Sequence, residues 1–302
     1  MLISFVINDI LINNNSWLKD TRLFFNQQLD PAYKKHYYKG RIPRSIIIQG
    51  DFASGKSTLL NILKASKGLI VDGHSWRNCF SEYIKLDFEI LFLFGKNQYR
   101  YHIVISEDNC YEELNFEKNV VDPNKKFQSL ISSTTFTEAY EWFNNLYLIP
   151  SCYDKQDEFY SAVEKLNSEK SYNDLLSIYR YYLEKRSNGL LKIEGSIERT
   201  CSFFKFFNSD SNVYSIPISR LNKSTYDFIL STRLIHFIGE LNTGVVFIDD
   251  IDFISKGLFL STINATFATT YASTPIQLIA TANSVPASLF KPSKYIYLQT
   301  LF

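Results

Sequence analysis

The sequence predicts an α/β fold: a largely parallel sheet bearing a glycine-bounded loop, with an antiparallel β excursion and a helical insertion. Three observations carry that expectation. A β-branched strand runs through a glycine-bounded loop into an apolar helix at residues 44–63. Far downstream a second apolar strand ends in two aspartates, and a third strand close behind it ends in polar residues.

The elements follow in chain order. The opening MLISFVINDILINNN lacks a basic start, and Asn8 and Asp9 interrupt its apolar run. It reads as a strand rather than a cleaved leader, which needs a charged start and an unbroken apolar segment. Next, Ile46 to Ile48 lead into Gly50, Asp51, Phe52, Ala53, Ser54, Gly55, Lys56 and Ser57, followed by Thr58. The pattern is G-x-x-x-x-G-K-S in the strand–loop–helix setting that the motif requires. Such a loop lets main-chain N–H groups wrap phosphates, and the helix that follows adds its dipole. Lys56 is expected to reach the β- and γ-phosphates of ATP, and the Ser57 hydroxyl to ligate Mg²⁺. Gly50 to Thr58 are the candidate nucleotide-binding residues. Leu59, Leu60, Ile62 and Leu63 then follow with the spacing of one helix face.

Residues 86–116 read as a β-hairpin, with LDFEILFLF and YRYHIVIS flanking the four-residue turn Gly95-Lys-Asn-Gln. Residues 135–185 read as helices with aromatic stripes: FTEAYEWFNNLYLI, DEFYSAVEKL and YNDLLSIYRYYLEK. Aromatics so arranged more often fill a core or an interface than stack on bases. Arg180, Lys185 and Arg186 form a small basic cluster, which a solvated helix face explains as readily.

Gly244 to Ile248 read as a buried strand ending in Asp249 and Asp250. A carboxylate at the end of a strand next to the P-loop strand would hold Mg²⁺ through its water shell. Asp249 is therefore a candidate metal ligand with Ser57, and Asp250 a candidate catalytic residue that orients the attacking water. A helix from Leu258 to about Tyr271 would cross over to the strand of QLIATANS, where Asn283 stands as a candidate γ-phosphate sensor. Ligand groups gathered at strand C-termini suit an open α/β sheet. Lys56 and Asp249 stand too far apart for one crossover, so an insertion is expected between them. One domain, 1–302, would thus hold a nucleotide-binding core of residues 1–120 and 215–302 and a mainly helical insertion or lid, 121–214.

Composition narrows the partners. Thirty-two basic and 31 acidic side chains leave a net charge of +1, which provides no overall field for a polyanion. A hydrophobic fraction of 45%, with 25 Phe and 20 Tyr, excludes an intrinsically disordered chain. Cys79, Cys110, Cys152 and Cys201 lack metal-ligand spacing and read as isolated thiols. No apolar run is long enough to suggest a membrane span, so a soluble cytoplasmic protein is expected.

With these landmarks in order, the chain resembles ABC-type P-loop ATPases of the RecF, SMC and OLD group. It is most similar to the prokaryotic defence-associated ATPases found beside a nuclease or toxin. The resemblance rests on the P-loop, on the excursion YRYHIV…EEL from Tyr99 to Leu114, and on AYEWFNNLYLI from Ala139 to Ile149. YLEKRSNGLLKIEG from Tyr182 to Gly195, and FIDDID before QLIATANS, complete it. It implies ATP and Mg²⁺ as cofactors and a homo-oligomer, at least a dimer, in which two heads sandwich ATP. It also implies a protein effector as partner, with nucleic acid engaged through the complex.

In that family an L-S-x-G-T signature opens a helix ahead of the acidic pair. Leu221, Asn222, Lys223, Ser224 and Thr225 occupy that place, so Asn222 to Thr225 are expected to meet the nucleotide of the other subunit. An ordinary N-cap by Asn222 on a surface helix is the alternative. Three departures stand out: Asp250 replaces the usual Glu, Asn222 and Ser224 replace the signature Ser and Gly, and Asn283 replaces the switch His. Together they imply a slow ATPase, or a subunit that uses ATP mainly as a clamp. Two other readings stay open. A ring ATPase of the AAA+ or superfamily 3 helicase kind needs an arginine finger, and no Arg follows Asn283. A catalytically dead ATP-binding scaffold is the other.

Overall fold

Among the described residues, strand patterning and two apolar helix faces build one large apolar cluster and a small one around Met1, Ile3 and Ile42. The computed structural model describes residues 1–12, 15–25, 37–38, 42–51, 54–106, 110–120, 129–132, 134–149, 197–200, 203–207, 213–217, 241–251, 275–283 and 294–298. In chain order they form β1 (Leu2–Ile12), β2 (Asn15–Phe24), β3 (Tyr37–Tyr38), β4 (Ile42–Pro43) and β5 (Ser45–Gly50), then α1 (Lys56–Ile70) and α2 (Trp76–Phe80). Next come β6 (Tyr83–Phe94), β7 (Asn97–Ile105), β8 (Cys110–Leu114), β9 (Glu117–Val120), α3 (Thr137–Asn144) and β10 (Leu146–Ile149). β11 (Ile197–Thr200), β12 (Phe203–Phe207), β13 (Val213–Pro217), β14 (Gly244–Ile248), β15 (Ile276–Ala282) and β16 (Lys294–Leu298) follow.

The opening segment forms β1, and it joins the expected hairpin in a six-stranded antiparallel sheet ordered β2-β1-β6-β7-β8-β9. Along β6, Leu86, Phe88, Ile90 and Phe92 are fully buried while the residues between them are partly exposed. This period of two turns one face of the sheet inward. The hairpin turn is tighter than expected: Phe94 pairs with Asn97, so only Gly95 and Lys96 connect the strands.

A second sheet, ordered β10-β14-β15-β5-β16, is parallel throughout. Its strands read as continuous apolar runs because both faces are covered: Ile46, Ile47, Ile48 and Val245 to Ile248 are all buried. Helices α1 and α3 share a single apolar core with both sheets. Leu59, Leu60, Ile62 and Leu63 of α1 are buried, as their spacing predicts. From α3, Trp142 stacks on Phe92 at 4.2 Å between ring centroids, and Phe143 meets Tyr101 edge-on at 5.1 Å.

Two buried polar side chains tie elements together. Gln277 on β15 accepts the Leu2 N–H at 2.7 Å and donates to the carbonyls of Leu2 (3.2 Å) and Pro43 (3.1 Å). It thereby links the first strand of the antiparallel sheet to the parallel one. Glu112 on β8 accepts from the hydroxyls of Tyr101 (3.0 Å) and Ser129 (2.7 Å) and from the Leu130 N–H (2.7 Å). Its burial pushes the carboxyl above the ordinary Glu value, and these three donors only partly oppose that shift.

Three expectations need correction. The strand bearing Asp249 is not next to the P-loop strand, because β15 lies between β14 and β5. The aromatic helix expected to run on to Ile149 ends at Asn144. Leu146–Ile149 instead becomes the edge strand of the parallel sheet, paired with β14. The cause is tertiary: helix propensity in this stretch yields to a sheet edge that supplies main-chain partners. Residues 137–149 thus pack with the parallel sheet, α3 in the shared apolar cluster and Leu146–Ile149 as the edge strand. Finally, 197–217, assigned largely to a helical insertion, contains the three-stranded antiparallel sheet β11-β12-β13. The expected helices within 151–196 and 258–271, and the signature Asn222 to Thr225, lie outside the described residues.

Cys79 and Cys110 are free thiols, in keeping with the isolated reading of those two. Among the described residues no helix is long and apolar enough to cross a membrane.

Candidate functional site

Strand β5 delivers Gly50 to the C-terminal edge of the parallel sheet, where the P-loop begins. Phe52 and Ala53 lie outside the described residues. On either side of them, the Ser54 N–H donates to the Asp51 carbonyl at 3.2 Å, which curls the loop. Gly55 caps α1 at φ 85° and ψ 11°. A side chain there would be strained in this left-handed region, which accounts for the glycine. The N–H groups of Thr58 and Leu59 turn back to the Gly55 carbonyl at 3.1 and 3.4 Å. Gly55 supplies no side-chain cap, and no acidic residue occupies the first turn of α1. The positive end of a helix so begun suits an anion.

Lys56 opens the helix, and only 8% of it is exposed. Its ammonium curls under the loop and donates to the carbonyls of Gly50 (2.5 Å) and Asp51 (2.6 Å) and to Ser54 Oγ (3.2 Å). These partners are neutral oxygens of the loop itself. A phosphate oxygen, being anionic, makes a stronger charge-assisted bond to the same ammonium. The next residue, Ser57, is exposed at the mouth of the loop.

Across the sheet, Asp249 ends β14 with 4% exposure, and its N–H donates to the Ile149 carbonyl of β10 at 2.9 Å. Thr281 of β15 donates its hydroxyl proton to Asp249 Oδ1 at 2.6 Å and accepts the Asp250 N–H at 2.7 Å. Asp250 itself sits at φ 52°, left-handed backbone that few residues other than glycine adopt. Asp is among the side chains that tolerate this conformation best, whereas the longer Glu is less suited to it. Local backbone geometry therefore gives a physical reason for the shorter acid. Asn283 follows β15 directly and is exposed.

The register aligns the strand ends. Ile248 pairs with Ala280, Thr281 with Ile48, and Ala282 with Gln49. Gly50 and Asn283 consequently emerge at one level, and Asp249 lies level with Thr281 and Ile48, two residues earlier along the strands. With neighbouring strands about 4.8 Å apart, β5 and β14 are separated by roughly 10 Å, two strand spacings. That gap suits phosphates and a hydrated cation between the loop and the acidic pair. The structure thus gathers Gly50, Asp51, Ser54 to Thr58, Asp249, Asp250 and Asn283 on one edge of the sheet.

Among the described residues no group of three or more His, Cys, Asp or Glu could hold a metal. Mg²⁺ needs none: one hydroxyl, one carboxylate, phosphate oxygens and waters complete its octahedron. Ser57, exposed beside Lys56, and Asp249, buried after β14, are residues of the types that could supply the first two.

Sequence reasoning missed Thr281. A threonine inside a β-rich run reads as a strand former, and nothing local announces that its hydroxyl serves two residues on another strand.

No protein-family model and no curated protein matches the chain. Among solved structures it is similar to an SMC head bound to the C-winged helix domain of ScpA. The TM-score is 0.52 at 11% identity, over 96% of this chain and 92% of that one. The likeness is one of fold. The match runs over nearly the whole chain, so it takes in the antiparallel sheet as well as the P-loop sheet. The SMC head domain from Thermotoga maritima also aligns, at a TM-score of 0.47 and 12% identity, over 94% of this chain and 89% of that one. The parallel sheet with its strand–loop–helix unit agrees with the α/β class expected from the motifs.

Proposed function

We propose that this chain is an ATP-binding switch subunit whose heads pair around ATP and Mg²⁺ to control a partner effector, a nuclease or toxin. It would act in the cytoplasm, in a prokaryotic defence or genome-maintenance complex. The observation that carries the reading is the Lys56 ammonium held inside the P-loop, on the sheet edge where Asp249 and Asp250 also end. Gly50 to Thr58 bind the triphosphate, with Lys56 exchanging loop carbonyls for phosphate oxygens. Ser57 and Asp249 hold Mg²⁺, which when bound neutralises charge on the phosphates. Asp250 positions water and Asn283 senses the γ-phosphate. Asn222 to Thr225 meet the nucleotide of the opposite head.

Hydrolysis is slow in this reading, because Asp250 is a methylene shorter than Glu and its backbone is constrained. ATP can shift the open–closed equilibrium only through contacts made in one state alone, which is the role given to the signature segment. That a solved SMC head binds a ScpA domain supports a protein partner for this fold.

Light scattering on a size-exclusion column tests the switch. With Mg²⁺ and ATP the mass should double, and the doubling should persist longer in Asp250→Asn. Lys223→Glu should abolish association while leaving ATP binding by the monomer intact. An unchanged mass with ATP, in both wild type and Asp250→Asn, overturns the switch.

A further inference from the structure

We infer that Thr281 is the positioning residue of the acidic pair: through one hydroxyl it orients the Asp249 carboxylate toward Mg²⁺ and holds Asp250 in its left-handed turn. The inference rests on the nucleotide reading of the site and concerns how the cation half of that site is built. Thr281 is fully buried on the central strand of three, flanked by the P-loop strand on one side and the acidic strand on the other. A hydroxyl carries one proton and two lone pairs. The Asp250 N–H at 2.7 Å is a donor and takes a lone pair, so the proton is directed to Asp249 Oδ1 at 2.6 Å. The polarity of the bridge is fixed by the backbone, and Asp249 Oδ1 is always the acceptor.

Two consequences follow. With one site of Oδ1 engaged, Oδ2 is the oxygen that keeps both of its acceptor sites for the water shell of a cation. The amide of Asp250, a non-glycine residue at φ 52°, is anchored by the same atom, so orientation of the two acids is coupled. The bridge is also tied to the phosphate side, because Thr281 pairs in register with Ile48, two residues before Gly50. Partners that orient a metal-binding carboxylate typically affect metal affinity strongly without touching the metal themselves.

Calorimetric titration of ATP, first in EDTA and then in Mg²⁺, tests this on wild type, Thr281→Val and Thr281→Ser. Valine keeps the shape and removes both bonds; serine keeps both. Thr281→Val should bind ATP in EDTA as wild type does, yet lose about tenfold of the affinity that Mg²⁺ adds. Thr281→Ser should retain that gain within about twofold. A purely structural role would lower the unfolding temperature of Thr281→Val and leave its Mg²⁺-dependent gain equal to that of wild type, which overturns the inference. If Thr281→Val does not fold, Thr281→Ala takes its place in the comparison, and equal Mg²⁺ gains in the Ala and Ser variants overturn it. Wild-type protein that binds ATP under neither condition overturns the nucleotide reading, and this inference with it.

Discussion

Replacing Lys56 with alanine separates a phosphate ligand from a structural lysine. In the structure the ammonium donates to two carbonyls and one hydroxyl of the loop, at 2.5, 2.6 and 3.2 Å. A unit charge about 4 Å from a phosphate charge gains about 4 kcal/mol at an effective dielectric constant of about 20. Binding exchanges away some of the loop bonds, each worth roughly 0.5–1.5 kcal/mol net. The ammonium is already buried, so little further desolvation opposes the exchange. The net contribution is then about 2–3 kcal/mol, or roughly a 30- to 150-fold loss of ATP affinity in Lys56→Ala. Stability should fall by about 1–3 kcal/mol, because the buried Gly50 carbonyl loses this donor. Lys56→Arg should not restore binding, since the planar guanidinium cannot replace a compact ammonium under a tight loop. Calorimetric titration with ATP and Mg²⁺, paired with urea unfolding, measures both quantities. An ATP affinity within about threefold of wild type in Lys56→Ala would refute the reasoning, since a charge contact of this geometry cannot be worth so little.

Two further predictions concern the frame that holds the site. Gln277→Leu leaves the Leu2 N–H and the Leu2 and Pro43 carbonyls short of partners at a fully buried position. It should cost about 2–4 kcal/mol in urea unfolding, given roughly 1–3 kcal/mol for each buried group left unsatisfied; a loss below about 1 kcal/mol would show that the two sheets are not joined there. Glu112 titrates above its ordinary value of 4.5 because of burial. The stability it contributes is therefore complete below that value and is lost as pH rises through the higher folded-state value. Across that window the stability of wild type relative to Glu112→Gln should decrease with rising pH, as measured by urea melts at several pH values. A difference independent of pH would contradict the burial argument.

Much of the site was legible in the sequence because its signals are local. A P-loop motif is a contiguous run of residues, so Gly50 to Thr58 could be named as candidates without a fold. The buried face of α1 and the alternation along β6 are likewise properties of neighbouring residues. Asp249 and Asp250 were legible as the acidic end of an apolar strand. Their distance from the P-loop was not, because strand order in a parallel sheet is set by crossovers that leave no mark on the strand itself. For the same reason the sequence could not show that Leu146–Ile149 leaves its helix to become a sheet edge: the partner that decides it is β14, far along the chain. The sequence alone determined the chemistry on offer: a phosphate loop, a carboxylate pair and an asparagine, each at the end of an apolar strand. Only the tertiary structure decided that β15 runs between the loop and the acids, that the Thr281 hydroxyl bridges Asp249 and Asp250, and that Gln277 secures β1. Those assignments depend on hydrogen bonds between residues remote in sequence, whose partners are chosen by packing rather than by local propensity.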